Sequence, residues 1–570
     1  MASLRFACLL AAVLALTSFA EAQPGRDRTF THADSLRGGW TKFRWCYDVT
    51  YYHLNVRIDP SAKTVFGSNE MRFTVLESFA TMQIDLFRNM GLDSILLDGS
   101  IRCTFRRDEN AVFVTAPTRL NKGERHDLVV YYGGAPIVAR RPPWDGGFIW
   151  TKDSTGGPWV AVTCEGTGAS LWWPNKDHPA DEPDSMLISV TIPPGLEDVS
   201  NGRLRSRTVL PDGWTRFDWF VSYPINNYCV TVNIGKFAHF SDTFVNGDAL
   251  TLDYYVLPQN LARAEKQFAQ VKGMLDAFEF YFGPCPFRRD GYKLVESPHN
   301  GMEHQSCVAY GNGYANGYRG AASSPEGMTF DFIIIHESAH EWWGNNVTAA
   351  DNADMWIHES FGAYAEALYV EKQLGREASL RYINAKRQNV RNEAPMQGKY
   401  GLNNDGSSDM YDKGQLVLNT LRSSLDNDSL WFSILRGIQW TYRYKTITYD
   451  TIVNYISMRS GKGVRTFFDQ YYRHASLPRF DAYVVKQGDS VRIRFRWTAD
   501  DSAFAMPLKL NIGNGRGISI NPSASWQTAA LPNDTDPWSV DVDDSLYYCA
   551  TRIVRSYLVP QAPIPHRGMF

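Results

Sequence analysis

The sequence predicts a multidomain α+β protein, and three changes of pattern along its 570 residues predict it. From about Phe30 to Phe240 apolar and polar residues alternate, as in Tyr51–Ile58 and Ser185–Ile192, with turn clusters such as Pro193-Pro194-Gly195 between the runs. Such alternation is the mark of antiparallel sheets with one face buried. From about Ala249 the period becomes helical, beginning over Leu261–Leu275, and helices are expected to about Ser476. Strand patterns return in Val491–Trp497 and Pro507–Ile512 and run to about Leu558. The expected parts are a leader over 1–22, a β domain over 23–248, a mostly helical domain over 249–476, a small β domain over 477–558 and a tail over 559–570.

The leader has its own logic. Met1 to Arg5 is a short basic start, Phe6 to Ala20 an apolar run, and Ala20-Glu21-Ala22 a small-x-small cleavage site before Gln23. That is a secretory signal peptide, which implies a secreted or periplasmic protein. The apolar run is too short to span a bilayer comfortably, so no integral membrane segment is expected after cleavage. With 58 basic and 61 acidic residues there is no electrostatic case for nucleic acid or an anionic membrane as partner. Cys8 falls in the leader. The other seven cysteines, Cys46, Cys103, Cys164, Cys229, Cys285, Cys307 and Cys549, are scattered and odd in number, so no disulfide framework is expected. Cys164 and Cys307 read as buried free thiols.

The chemistry is concentrated in Phe330–Asn346, F-D-F-I-I-I-H-E-S-A-H-E-W-W-G-N-N. Residues four apart share one helix face, so His336 and His340 can converge on one metal ion. Glu337 adjoins the first of them, close enough to hold and deprotonate a water at the metal. A catalytic zinc needs three protein ligands and one open position. A third ligand at the metzincin spacing is excluded, because Trp343 and Asn346 stand where Gly and His would be required. Downstream, Asp354–Gly375 reads as an amphipathic helix ended by Gly375. It offers two adjacent candidates, His358 and Glu359, only one of which can face the metal. Helix geometry leaves that choice open.

H-E-S-A-H-E-W-W-G-N-N-V-T followed by W-I-H-E-S-F resembles the aminopeptidase N family of gluzincins, the zinc aminopeptidases related to membrane alanyl aminopeptidase and leukotriene hydrolase. The resemblance implies Glu359 as third ligand, because a glutamate follows the second histidine after 18 residues. It supports Glu366, two turns further on the same face, as the partner of a ligand histidine, against a plain surface carboxylate. His358 and Ser360 depart from the family's usual Asn and Gly, beside the ligand and not at it. Gly301-Met302-Glu303 resembles the family's exopeptidase motif, with Asn300 for the usual Gly before it and His304 for the usual Asn after it. In that motif the glutamate, here Glu303, binds the substrate's free α-amino group. Trp159–Pro174 resembles a second family segment and implies Glu165 as a further amine anchor. Met410-Tyr411-Asp412-Lys413-Gly414 resembles the segment whose tyrosine, here Tyr411, hydrogen-bonds the developing oxyanion.

The family implies an N-terminal β saddle, a thermolysin-like catalytic domain and a small C-terminal immunoglobulin-like β-sandwich. Many members add a large helical domain after it; none is expected in this chain, which would leave the cleft open to longer peptides. The implied function is removal of N-terminal residues from peptides, with one Zn²⁺ per chain and Glu337 as general base. Alternatives on the same residues are a zinc endopeptidase, an epoxide hydrolase and a non-catalytic metal-binding peptide receptor.

Overall fold

The computed structural model describes residues 29–558; the leader over 1–22 and the tail from Pro560 to Phe570 lie outside the described residues. The first half is sheet. Tyr47–Asp59 and Thr64–Val75 form a long antiparallel pair in which Tyr52 faces Met71 and Ile58 faces Val65. They lie at the centre of an eight-stranded sheet, where Tyr47–Asp59 also pairs in parallel with Ser185–Ile192. Both alternating stretches singled out in the sequence are therefore central strands. Their apolar residues, such as Leu54, Val56, Ile188 and Val190, join one buried core with Trp172 and Trp173. A four-stranded sheet containing Pro158–Thr163 ends just before Glu165 and carries the chain toward the cleft.

The middle region differs from expectation at its start. Asp248–Val256 is a strand where helical periodicity was expected from about Ala249. It pairs with Ala238–Asn246 in a hairpin that crosses the 248/249 boundary, and in parallel with Tyr292–Glu296. The residues explain this: Leu250, Leu252, Tyr254 and Val256 alternate and are buried, a period of two and not of 3.6. The strand belongs to a five-stranded sheet whose short edge strand is Gly301–Met302. The helix expected over Leu261–Leu275 forms as two, Leu261–Phe268 and Gln270–Phe282. Among the described residues no helix is long and apolar enough to cross a membrane.

The two helices that matter most are Phe332–Ala339 and Trp356–Leu374. The first is capped by Asp331, whose carboxylate accepts from the backbone N–H of Ile333 and Ile334 and also from Tyr310, Asn312 and Gln267. The second ends at Gly375, whose φ of 88° is a conformation glycine adopts without a Cβ penalty. The helix Asp409–Leu425 lies along it. Ser360 donates to the Met410 carbonyl at 2.7 Å, and a Cβ on Gly414 would come within 2.2 Å of the Ser360 hydroxyl. This contact fixes the start of the third helix against the second.

From Arg479 the chain returns to strands, one sheet of four and one of three, built around Arg479–Gln487 and Leu508–Ile512. Their core is continuous with that of the helical region. Tyr471 donates to the Tyr548 carbonyl at 2.6 Å, and the Tyr548 N–H to Thr420 at 2.8 Å. All seven cysteines among the described residues are free thiols, six of them buried.

Asp331 is fully buried and holds the N-terminus of the helix that carries His336. Asp331→Ala leaves its donors unpaired and is expected to destabilise the protein by about 2–4 kcal/mol. A lowered denaturation midpoint measures this.

Candidate metal centre and cleft

His336 lies in the last turn of its helix and His340 is its C-cap residue, still in helical conformation (φ −67°, ψ −18°). The i, i+4 geometry therefore persists to the helix end. The Trp356–Leu374 helix brings Glu359 against the pair: one of its carboxylate oxygens lies 3.6 Å from His336 Nε2 and 3.7 Å from His340 Nε2. The alternative left open by helix geometry resolves here. His358 Nε2 instead accepts the Ala349 backbone N–H at 2.8 Å, away from the two rings.

The far nitrogen of each imidazole is committed. His336 Nδ1 bonds a Glu366 oxygen at 2.7 Å, and His340 Nδ1–H donates to the Trp343 carbonyl at 2.9 Å. Each ring thus turns its Nε2 to the same point. The Glu359 oxygen facing them is buried and has no hydrogen-bond partner among the described residues. A tetrahedral ion with ligands at about 2.0–2.2 Å sets those ligands roughly 3.3–3.6 Å apart. The two nitrogens and one unsatisfied oxygen fit a divalent transition metal with one position left for another ligand.

Glu366 is buried, and its second oxygen accepts the Tyr382 hydroxyl. A surface reading of this carboxylate is thereby excluded. Glu337 lies beside the triad, and Gly301 explains how it is accommodated: a Cβ at Gly301 would stand 2.5 Å from Glu337 Oε1. The edge strand Gly301–Met302 approaches the glutamate more closely than any other residue type permits. Met302 is buried behind it.

Glu303 and Glu165 converge. Their carboxylates and that of Glu359 each offer an oxygen within 4.8 Å of the other two. Tyr228 donates to Glu303 Oε1 at 3.0 Å, and Asn345 Nδ2 holds the Glu303 backbone carbonyl at 3.0 Å. Burial first, and then Glu303 and the other nearby carboxylates, raise the Glu165 carboxyl well above the ordinary range. Glu337 is pushed upward mainly by burial too. The half-buried Tyr411, two residues into its helix, has its ring centroid 6.1 Å from that of His336. Burial again leads in raising its phenol, so it is a neutral donor near pH 7.

Several residues of the site carry no sequence signal. Tyr228, Tyr382 and Lys386 reach it from segments without a motif. Asn345 alone had a cue, lying five residues past His340 in the same polar-aromatic run. Asn300 donates to the Tyr318 hydroxyl at 2.6 Å, forming part of the cleft wall.

Comparison with known proteins agrees with this geometry. Residues 267–471 match the model of the Peptidase family M1 domain. That stretch of the chain is thus similar to an M1 peptidase domain. Over 447 residues it is 22% identical to endoplasmic reticulum aminopeptidase 1 of Rattus norvegicus, covering 73% of this chain and 46% of that protein. Over 216 residues it is 28% identical to human glutamyl aminopeptidase, covering 37% of this chain and 22% of that one. The chain thus spans less than half the length of these relatives. Among solved structures, the M1 zinc metallopeptidase from Deinococcus radiodurans superposes with a TM-score of 0.66 at 19% identity, covering 78% of this chain and 98% of the other. A mutant of it bound to a Tyr-Ser-Ala substrate gives 0.64 at 19%, over 76% and 95%. The M1 fold is common to them.

Glu366 orients His336 through one oxygen and is itself fixed by Tyr382 through the other. Glu366→Ala is expected to weaken binding of a divalent metal about 10–100-fold. Titration of the metal-free protein against a competing chelator measures the loss.

Proposed function

We propose that this protein is a zinc-dependent aminopeptidase that hydrolyses the first peptide bond of a peptide. The convergence of Glu165 and Glu303 beside the His336-His340-Glu359 group supports this most directly. Two carboxylates next to a metal position suit one ligand above others, a primary ammonium one residue away from the bond to be cut. The two-histidine, one-carboxylate donor set with an open position is the composition of a catalytic zinc site. Zinc bound there would supply Lewis acidity, polarising the scissile carbonyl and lowering the pKa of water at the site.

The protein's own residues do the rest. Glu165 and Glu303 hold the substrate's N-terminus and so fix which carbonyl reaches the metal position. Glu337, held against Gly301, accepts a proton from the attacking water and returns it to the leaving amine. Tyr411 donates a hydrogen bond to the carbonyl oxygen as negative charge develops. Glu366 keeps His336 in the tautomer that offers Nε2. The named relatives, two of them aminopeptidases, support the same reading. The leader pattern Met1–Ala22 supports a secreted or periplasmic setting. The domain reading over 23–248, 249–476 and 477–558 stays with it, as β saddle, thermolysin-like domain and immunoglobulin-like sandwich, except that the hairpin Ala238–Val256 crosses the first boundary and packs with the middle region.

The test compares a leucine fluorogenic amide with its N-acetylated form. Cleavage of the free amine alone, abolished by chelation, is expected; equal cleavage of both would make the protein an endopeptidase. Glu337→Gln should lower kcat by about 10²–10⁴-fold while metal stoichiometry stays at one. Glu303→Gln should act chiefly by raising KM and by narrowing the gap between free and acetylated substrates.

A further inference from the structure

The cleft has a cation that the reaction as described does not use. Lys386 follows the helix Arg376–Ala385 and lines the same cleft as His336, Glu337 and Tyr411. Its ammonium lies 5.3 Å from the centroids of both the Phe332 and Tyr382 rings. Its nearest carboxylate, Asp412, is 3.8 Å away, beyond hydrogen-bond distance. Asp412 is already satisfied by Asn389 at 2.8 Å and Gln415 at 3.2 Å. Among the described residues, then, the Lys386 side chain is 14% exposed and its ammonium has two ring faces and a loose ion pair with Asp412 about it but no direct hydrogen-bond acceptor.

Its position gives this meaning. Glu165 and Glu303 cluster with Glu359, at one end of the metal group. Lys386 is outside that cluster and flanks Phe332, whose ring stacks on His336 at 5.2 Å and 12°. If the substrate's ammonium occupies the carboxylate cluster, the leaving group extends away from it, past His336 and Phe332. An extended peptide advances about 3.3–3.6 Å per residue, so one or two residues past the cut bring it to Lys386.

We propose that Lys386 is a specificity residue for the leaving group, pairing with a carboxylate carried by the first two residues after the scissile bond. Two sources share that chemistry: the free C-terminus of a short peptide and an acidic side chain. The inference rests on the aminopeptidase reading and deepens it.

Two substrate pairs separate the sources: Leu-Gly-Gly against its C-terminal amide, and Leu-Asp amide against Leu-Asn amide. For the zinc-loaded protein, kcat/KM should favour the carboxylate member of at least one pair by roughly tenfold. Which pair shows the preference identifies the source. Lys386→Met should bring that ratio close to one, and Lys386→Arg should retain most of it. Affinities of the same peptides, measured by calorimetry in the Glu337→Gln background, should show the same ratios without turnover. Equal kcat/KM within both pairs overturns the proposal, as does a Lys386→Met variant that weakens both members alike. Hydrolysis of leucine fluorogenic amide, which carries no carboxylate, separates the two readings. If it is cleaved while the ratios stay at one, only the role of Lys386 falls; if it is not cleaved, the aminopeptidase reading falls and takes this one with it.

Discussion

Five carboxylates, Glu165, Glu303, Glu337, Glu359 and Glu366, are gathered around two imidazoles in largely desolvated space, and the architecture depends on keeping them there. Like charges at such separations repel strongly where water is excluded. Glu165, Glu303 and Glu359 each offer an oxygen within 4.8 Å of the other two. A group of this kind is tolerable when cations enter it. On the proposed function a metal ion would answer the charge at Glu359, and a substrate ammonium would answer it at Glu165 and Glu303. The electrostatic demand of the site is thus also its selectivity.

Four elements bring these carboxylates, Glu359 and Glu366 sharing the Trp356–Leu374 helix, and each element has its own restraint. Asp331 caps the helix of His336 and Glu337, and Tyr292 and Ser338 bond at 2.6 Å to hold its flank. Phe361, two residues beyond Glu359, stacks on Trp343 at 4.1 Å, while the Trp343 carbonyl fixes His340. Glu341, buried and with its carboxyl raised to about 8 mainly by desolvation, accepts the Ser306 backbone N–H at 2.7 Å. Together with Asn345 it clamps the loop after Glu303. The end of the motif helix and the residues just past it therefore position His336 and His340 on one side and Glu303 on the other. A movement of that helix would disturb both.

What was legible in the sequence follows from range. His336, Glu337 and His340 are local, and helix periodicity alone brings them to one face. Glu359 against His358 was not decidable by period, because adjacent residues on a helix differ by 100° and the partner surface was unknown; the Ala349 N–H and the Glu366–His336 bond decide it. The edge strand at Gly301 was legible as a motif, but its reason was not. The glycine makes room for Glu337, a contact between residues 36 apart in the chain. Asp248–Val256 was misread because a strand buried within the helical region carries its alternation for only a few residues before the helices begin. Lys386 and Tyr382 had no signal at all, since a lone lysine or tyrosine in a helix usually marks solvent or core.

The cleft is polar along its length. In the proposed binding mode Glu165 and Glu303 form an acidic end and Lys386 a cationic end of a cleft also lined by apolar Phe332 and Ile333. A short peptide is a zwitterion with the complementary arrangement, ammonium first and carboxylate last. Reversing it would set ammonium against Lys386 and carboxylate against two glutamates, an arrangement disfavoured at both ends at once. Direction is then set before the scissile bond is positioned. A long peptide without an acidic residue just past the cut retains only the first of these interactions, so its orientation rests on the two glutamates alone. The same two carboxylates that would make the protein an exopeptidase thus also govern how far the benefit of Lys386 extends: strongest for peptides of two or three residues, and fading as the carboxylate moves out of reach.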